Sequence, residues 1–123
     1  MNEHQHQATI FQRAELSLKK YPELDMLFAI PNGGFRTKSE AARLKREGVK
    51  AGYPDIGLDV ARGGYHGLRI ELKKPKCSKS GAGKVSKKQK ERIEKLIDQG
   101  YKALVCWGWE DAWNVIMDYL NEE

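Results

Sequence analysis

The chain is most tightly constrained between Gly52 and Lys73, where Gly-Tyr-Pro-Asp opens one short run of alternating apolar residues and Glu-Leu-Lys closes the next. In the first run Ile56, Leu58 and Val60 alternate with Asp55, Gly57 and Asp59. In the second, Leu68, Ile70 and Leu72 alternate with Arg69, Glu71 and Lys73. Period-two alternation around Gly63 and Gly64 predicts two strands joined by a hairpin at residues 62–65, with Glu71 and Lys73 on the face opposite Leu68, Ile70 and Leu72. Fifteen residues separate Asp55 from Glu71, so pairing of the two runs brings Asp55 beside Glu71 and Lys73. Two carboxylates and an ammonium at one edge are costly to hold together unless something multiply charged lies between them. A divalent metal with a phosphate meets that need.

The flanking segments supply the rest of a small α/β domain. Residues 3–20 read as a helix with Ala8, Phe11, Ala14 and Leu18 on its buried stripe, ended by Tyr21-Pro22. Met26 to Ile30 is a continuous apolar run that reads as a buried strand, and Pro31-Asn-Gly-Gly34 breaks it. Thr37 and Glu40 have capping-box spacing before a short helix stopped at Gly48, and Ser86 and Gln89 repeat that spacing before a helix to about Gln99. Its expected buried stripe is Ile93, Leu96 and Ile97. Residues 102–106 form a last core strand, and Asp111 caps or leads a final helix packed through Trp113, Ile116, Met117 and Leu120. The order α-β-α-β-β-α-β-α predicts a mixed four-stranded sheet flanked by helices.

A length of 123 residues and 14.0 kDa suits a single domain spanning 1–123 with one core. No apolar run reaches membrane-spanning length and no charged-then-apolar leader opens the chain, so a cytoplasmic location is expected. Cys77 and Cys106 form no C-x-x-C unit, and His4, His6 and His66 lack zinc-ligand spacing. Each histidine reads as a surface residue, and Trp107, Trp109 and Trp113 read as packing for the last strand and helix. The net charge is +5, and residues 73–90 carry Lys73, Lys74, Lys76, Lys79, Lys84, Lys87, Lys88 and Lys90 with no acid among them. That concentration, directly after the Glu-Leu-Lys triplet, is the footprint of a polyanion.

Pro54-Asp55, fifteen residues, then Glu71-Leu-Lys73 resembles the PD-(D/E)xK nuclease superfamily. Ala29-Ile-Pro-Asn-Gly-Gly34, Ala42-Arg-Leu-Lys-Arg-Glu-Gly48 and Gly52-Tyr-Pro-Asp-Ile56 narrow the resemblance to the short phage and bacterial VRR-Nuc domains. The resemblance implies a restriction-endonuclease-like core. It also implies a metal-dependent endonuclease using Mg²⁺ or Mn²⁺, hard cations that suit oxygen ligands. Asp55, Glu71, the backbone carbonyl of Leu72 and Glu3 of the first helix are the implied ligands. Lys73 is implied to act on the attacking water or the developing charge, and Gln89, which also fits a cap for Ser86, to position water or phosphate.

Lys74, Lys76, Lys79, Lys84, Lys87 and Lys88, with Asn32 and Arg36, are the expected nucleic-acid contacts. Compact domains of this type are associated with homodimers acting on branched DNA, Holliday junctions included, without an organic cofactor. Flaps, nicks or plain duplex as substrates, or a basic nucleic-acid-binding module without catalysis, stay open as alternatives.

Overall fold

The computed structural model describes residues 1–31, 37–77 and 81–123. The expected contacts Asn32, Arg36 and Lys79 lie outside the described residues. The chain runs α1 (Glu3–Leu16), a 3-10 turn (Pro22–Met26), β1 (Leu27–Ala29), α2 (Lys38–Arg46), β2 (Ile56–Leu58), β3 (Leu68–Lys73), α3 (Lys87–Asp98), β4 (Lys102–Trp107) and α4 (Trp109–Leu120). The strands form one sheet in sequence order; β1 pairs with β2 and β2 with β3 antiparallel, and β3 pairs with β4 parallel. This is the expected mixed four-stranded α/β architecture.

The hairpin follows from its glycines. Gly63 and Gly64 both take positive φ, 56° and 83°, and Arg62 bridges Tyr65 across them. Two consecutive positive-φ residues make the turn whose twist matches that of paired strands. Ile56 and Leu58 then face Ile70 and Leu68 in register. With Ile10, Leu72, Ile116 and Tyr119 they lie in a core that α1 and α4 cover. Gly57 sits under the Phe28 ring so closely that a Cβ there would lie 2.3 Å from Phe28 Cζ.

Several expectations need correction. Helix α1 ends at Leu16 and not near Lys20, and Ala8 is exposed; the buried stripe is His6, Ile10 and Ala14. His6 is therefore a core residue and not a surface one. Its Nδ1 accepts the Trp109 amide at 3.0 Å and joins the first turn of α1 to the start of α4. The spacing of four from His6 to Ile10 to Ala14 carried this signal, which its polarity masked.

No residue of helix α3 is fully buried: of its expected stripe Ile93 and Leu96 are half-buried and Ile97 is 52% exposed. Trp113 is buried, but Trp107 is 40% exposed. The last helix is preceded by Gly108, whose φ of 91° favours glycine and whose neighbours Pro75 and His6 stand close to where a Cβ would lie. Asp111 acts from within the helix, accepting the Trp107 amide at 2.9 Å.

Candidate active site

Strand β3 delivers Glu71 and Lys73 to one side because they are two residues apart on an extended backbone. The Lys73 carbonyl accepts the Gly108 amide and the Gly67 carbonyl accepts the Lys102 amide. Odd-numbered β3 backbone groups therefore bond to β4, and the even-numbered ones face β2. Strand β2 begins only at Ile56, so the Leu72 amide has no strand partner there. The Asp55 Oδ2 takes that bond at 2.9 Å. In an extended residue the amide and carbonyl point to the same side, so the Leu72 carbonyl lies on the Asp55 side as well. The backbone before β2 is held in place by the Ile30 amide, which donates to the Asp55 carbonyl at 2.7 Å.

Glu71 is 2% exposed and Lys73 9%. The Lys73 Nζ lies 3.4 Å from Glu71 Oε1, which also accepts Gln89 Nε2 at 2.8 Å. The other carboxylate oxygen, Oε2, is buried without a hydrogen-bond partner. Burial and the Asp55 charge push Glu71 up to about 8, against the pull of Lys73. Burial also raises Asp55, with the Leu72 amide opposing it. At neutral pH the isolated pair thus favours one proton over two negative charges.

Gln89 closes the cap of α3 and reaches the acidic pair at once. Its Oε1 accepts the Ser86 amide at 2.9 Å while Ser86 Oγ accepts the Gln89 amide at 3.1 Å, closing the capping box. Its Nε2 is left to hold Glu71. The sequence posed cap and site as competing roles, but the two ends of one amide serve them separately.

Glu3 stands on the first turn of α1, half-buried, with its pKa raised by burial and by Asp55 and lowered by Lys73. It shares the field of the pair. Among the described residues, however, no three His, Cys, Asp or Glu side chains converge as metal ligands. The donor set assembled here is two carboxylates and a backbone oxygen, with one carboxylate oxygen lacking a partner; hard oxygens with an unsatisfied acceptor fit Mg²⁺ or Mn²⁺. Lys74, next to Lys73 in the chain, is half-buried, and Lys76, Lys84, Lys87 and Lys88 are exposed.

A mixed sheet with an acidic pair and a lysine at the β2–β3 edge defines a nuclease-type α/β fold. The VRR-NUC domain family matches residues 1–109, and the chain belongs to that family. A solved structure described as a VRR_NUC domain protein is 39% identical, with a TM-score of 0.77, covering 97% of this chain and 88% of the other. No curated protein matches the chain. Among the described residues no helix is long and apolar enough to cross a membrane.

Proposed function

We propose that the chain is a Mg²⁺- or Mn²⁺-dependent DNA endonuclease. The observation that carries this reading is the buried Glu71 carboxylate, with one oxygen unpartnered, set against Asp55 and beside Lys73. A pair of like charges removed from water is destabilising unless a cation or proton joins it. A binding module for nucleic acid gains nothing from that arrangement, since it repels phosphate.

Asp55, Glu71 and the Leu72 carbonyl would hold the metal, with Glu3 contributing from α1. Bound there, the metal supplies Lewis acidity toward the phosphodiester and a lowered pKa for water. Gln89 fixes the Glu71 rotamer through Oε1 and leaves Oε2 turned elsewhere. Lys73, anchored at 3.4 Å from Glu71, offers a positive charge to a phosphate at this edge. Lys74, Lys76, Lys84, Lys87 and Lys88 hold the strand around the site, where DNA affinity comes largely from phosphate contacts.

The finer reading, a homodimer that resolves Holliday junctions or other branched DNA in the cytoplasm, is supported by the family resemblance of the motifs. A two-fold dimer presents two sites to opposed strands, as symmetric resolution requires. The test incubates purified protein with labelled four-way junction, flap, nicked and duplex DNA in Mg²⁺, Mn²⁺ or EDTA. Metal-dependent cleavage, abolished by Asp55→Asn with DNA binding retained, is the expected result. Binding without cleavage in any metal would overturn the nuclease reading.

A further inference from the structure

A second cationic feature lies between helices α2 and α3. No residue of α2 or α3 is fully buried, and between the two helices runs a cleft of about 650 Å³. Its walls carry Lys45, Lys50, Lys88, Arg92 and Lys95 against one acid, Glu91. Glu91 is itself 3.9 Å from Lys87. Among the described residues, Lys45, Lys50, Lys88 and Lys95 form no ion pair. Leu44 and Val49 give the cleft an apolar lining.

Arg92 stands in the wall of the cleft with its guanidinium 4.4 Å from the Tyr53 ring centre. Together with the four lysines it selects for a polyanion over a single carboxylate.

Connectivity ties the cleft to the acidic edge. The loop lined by Val49 and Lys50 runs through Gly52, Tyr53 and Pro54 directly into Asp55. Gly52 lies flat against the first turn of α3, where a Cβ would sit 2.7 Å from the Lys88 carbonyl oxygen. From that same turn Gln89 reaches Glu71, while its neighbour Lys88 faces the cleft. Lys88, Arg92 and Lys95 recur at helical spacing along α3, spanning roughly 10 Å.

We propose that the cleft between α2 and α3 is a phosphate-binding track that receives the sugar–phosphate backbone of the nucleic-acid strand leaving the Asp55–Glu71–Lys73 edge. The proposal rests on the nuclease reading for its substrate. Binding energy is thereby applied away from the reacting phosphate, where it positions the strand without crowding the acidic pair.

The test measures the binding of a labelled DNA duplex in EDTA as a function of salt. It compares the wild type with Lys45→Ala/Lys95→Ala and with a control, Lys19→Ala/Lys20→Ala, in the turn that follows α1. All four lysines are exposed, and unchanged melting temperatures check that the variants fold. The cleft variant should lower the log–log salt slope by roughly 1.8 through loss of two phosphate contacts, with the control unchanged. Equal slopes for the cleft variant and the wild type would overturn the proposal. So would a dimer dissociated by Leu44→Asp with no change in slope, since the cleft would then hold a second copy of the chain. Cleavage in Mg²⁺ or Mn²⁺ is scored separately. A slope that depends on Lys45 and Lys95 in a protein that cuts nothing supports the track and removes the nuclease reading alone.

Discussion

Replacing Glu71 by Gln should stabilise the metal-free protein at alkaline pH. Glu71 is raised from 4.5 to about 8 by burial first and by the Asp55 charge second. A raised folded-state pKa means that the native protein binds this proton more tightly than the unfolded chain does. The stability contributed by that proton is therefore fully present below about pH 4.5 and is lost as pH rises through about 8. Every tenfold gain in proton affinity on folding corresponds to about 1.4 kcal/mol, so the loss across the window is on the order of a few kcal/mol. Glutamine keeps the shape and an oxygen for Gln89 Nε2, and turns the unpartnered Oε2 into an amide that can donate to Asp55.

Thermal melts in EDTA from pH 4.5 to 8.5 measure the difference between the wild type and Glu71→Gln, in which the shared titrations cancel. The variant should melt close to the wild type at pH 4.5 and roughly 10 °C above it at pH 8.5, given several degrees per kcal/mol for a domain of this size. Millimolar Mg²⁺ at pH 8.5 should raise the wild type and leave the variant unmoved. A difference that does not change with pH would refute the account of a destabilised carboxylate pair.

Gln89→Ala should lower the melting temperature by the loss of about 1 kcal/mol of capping and release Glu71, whereas Gln89→Glu should keep the cap, lower the melting temperature in EDTA at alkaline pH by setting a third carboxylate against Glu71, and abolish metal-dependent cleavage. Gly57→Ala should cost about 1–3 kcal/mol in chemical denaturation, because its Cβ overlaps the Phe28 ring, and Phe28→Leu should recover part of the loss. His6 is lowered by burial first and by the N-terminal amine second, so its contribution is present above the unfolded value of 6.5 and lost as pH falls through its lower folded value. The stability advantage of the wild type over His6→Asn, measured by melting, should accordingly shrink below about pH 6; an advantage that grows on acidification would reverse the sign.

The local periods and caps were legible in the sequence because they depend on neighbours in the chain. Alternation from Leu68 to Lys73 placed Glu71 and Lys73 on one side, Gly63-Gly64 set the turn, and Ser86 with Gln89 marked the start of α3. Those features set the register that brings Asp55 and Glu71 together once β1 and β4 flank the hairpin. Only the tertiary structure decided what each polar group is paired with and how far it leaves water, because both depend on segments distant in the chain. His6 is buried because Trp109, 103 residues later, needs an acceptor. Gln89 serves cap and carboxylate together because α3 packs on β4, the strand next to β3, and that packing leaves Ile97 exposed. The Asp55, Glu71 and Lys73 constellation was written in spacing; the unpartnered Glu71 oxygen and the α2–α3 cleft arise from packing, which no period records.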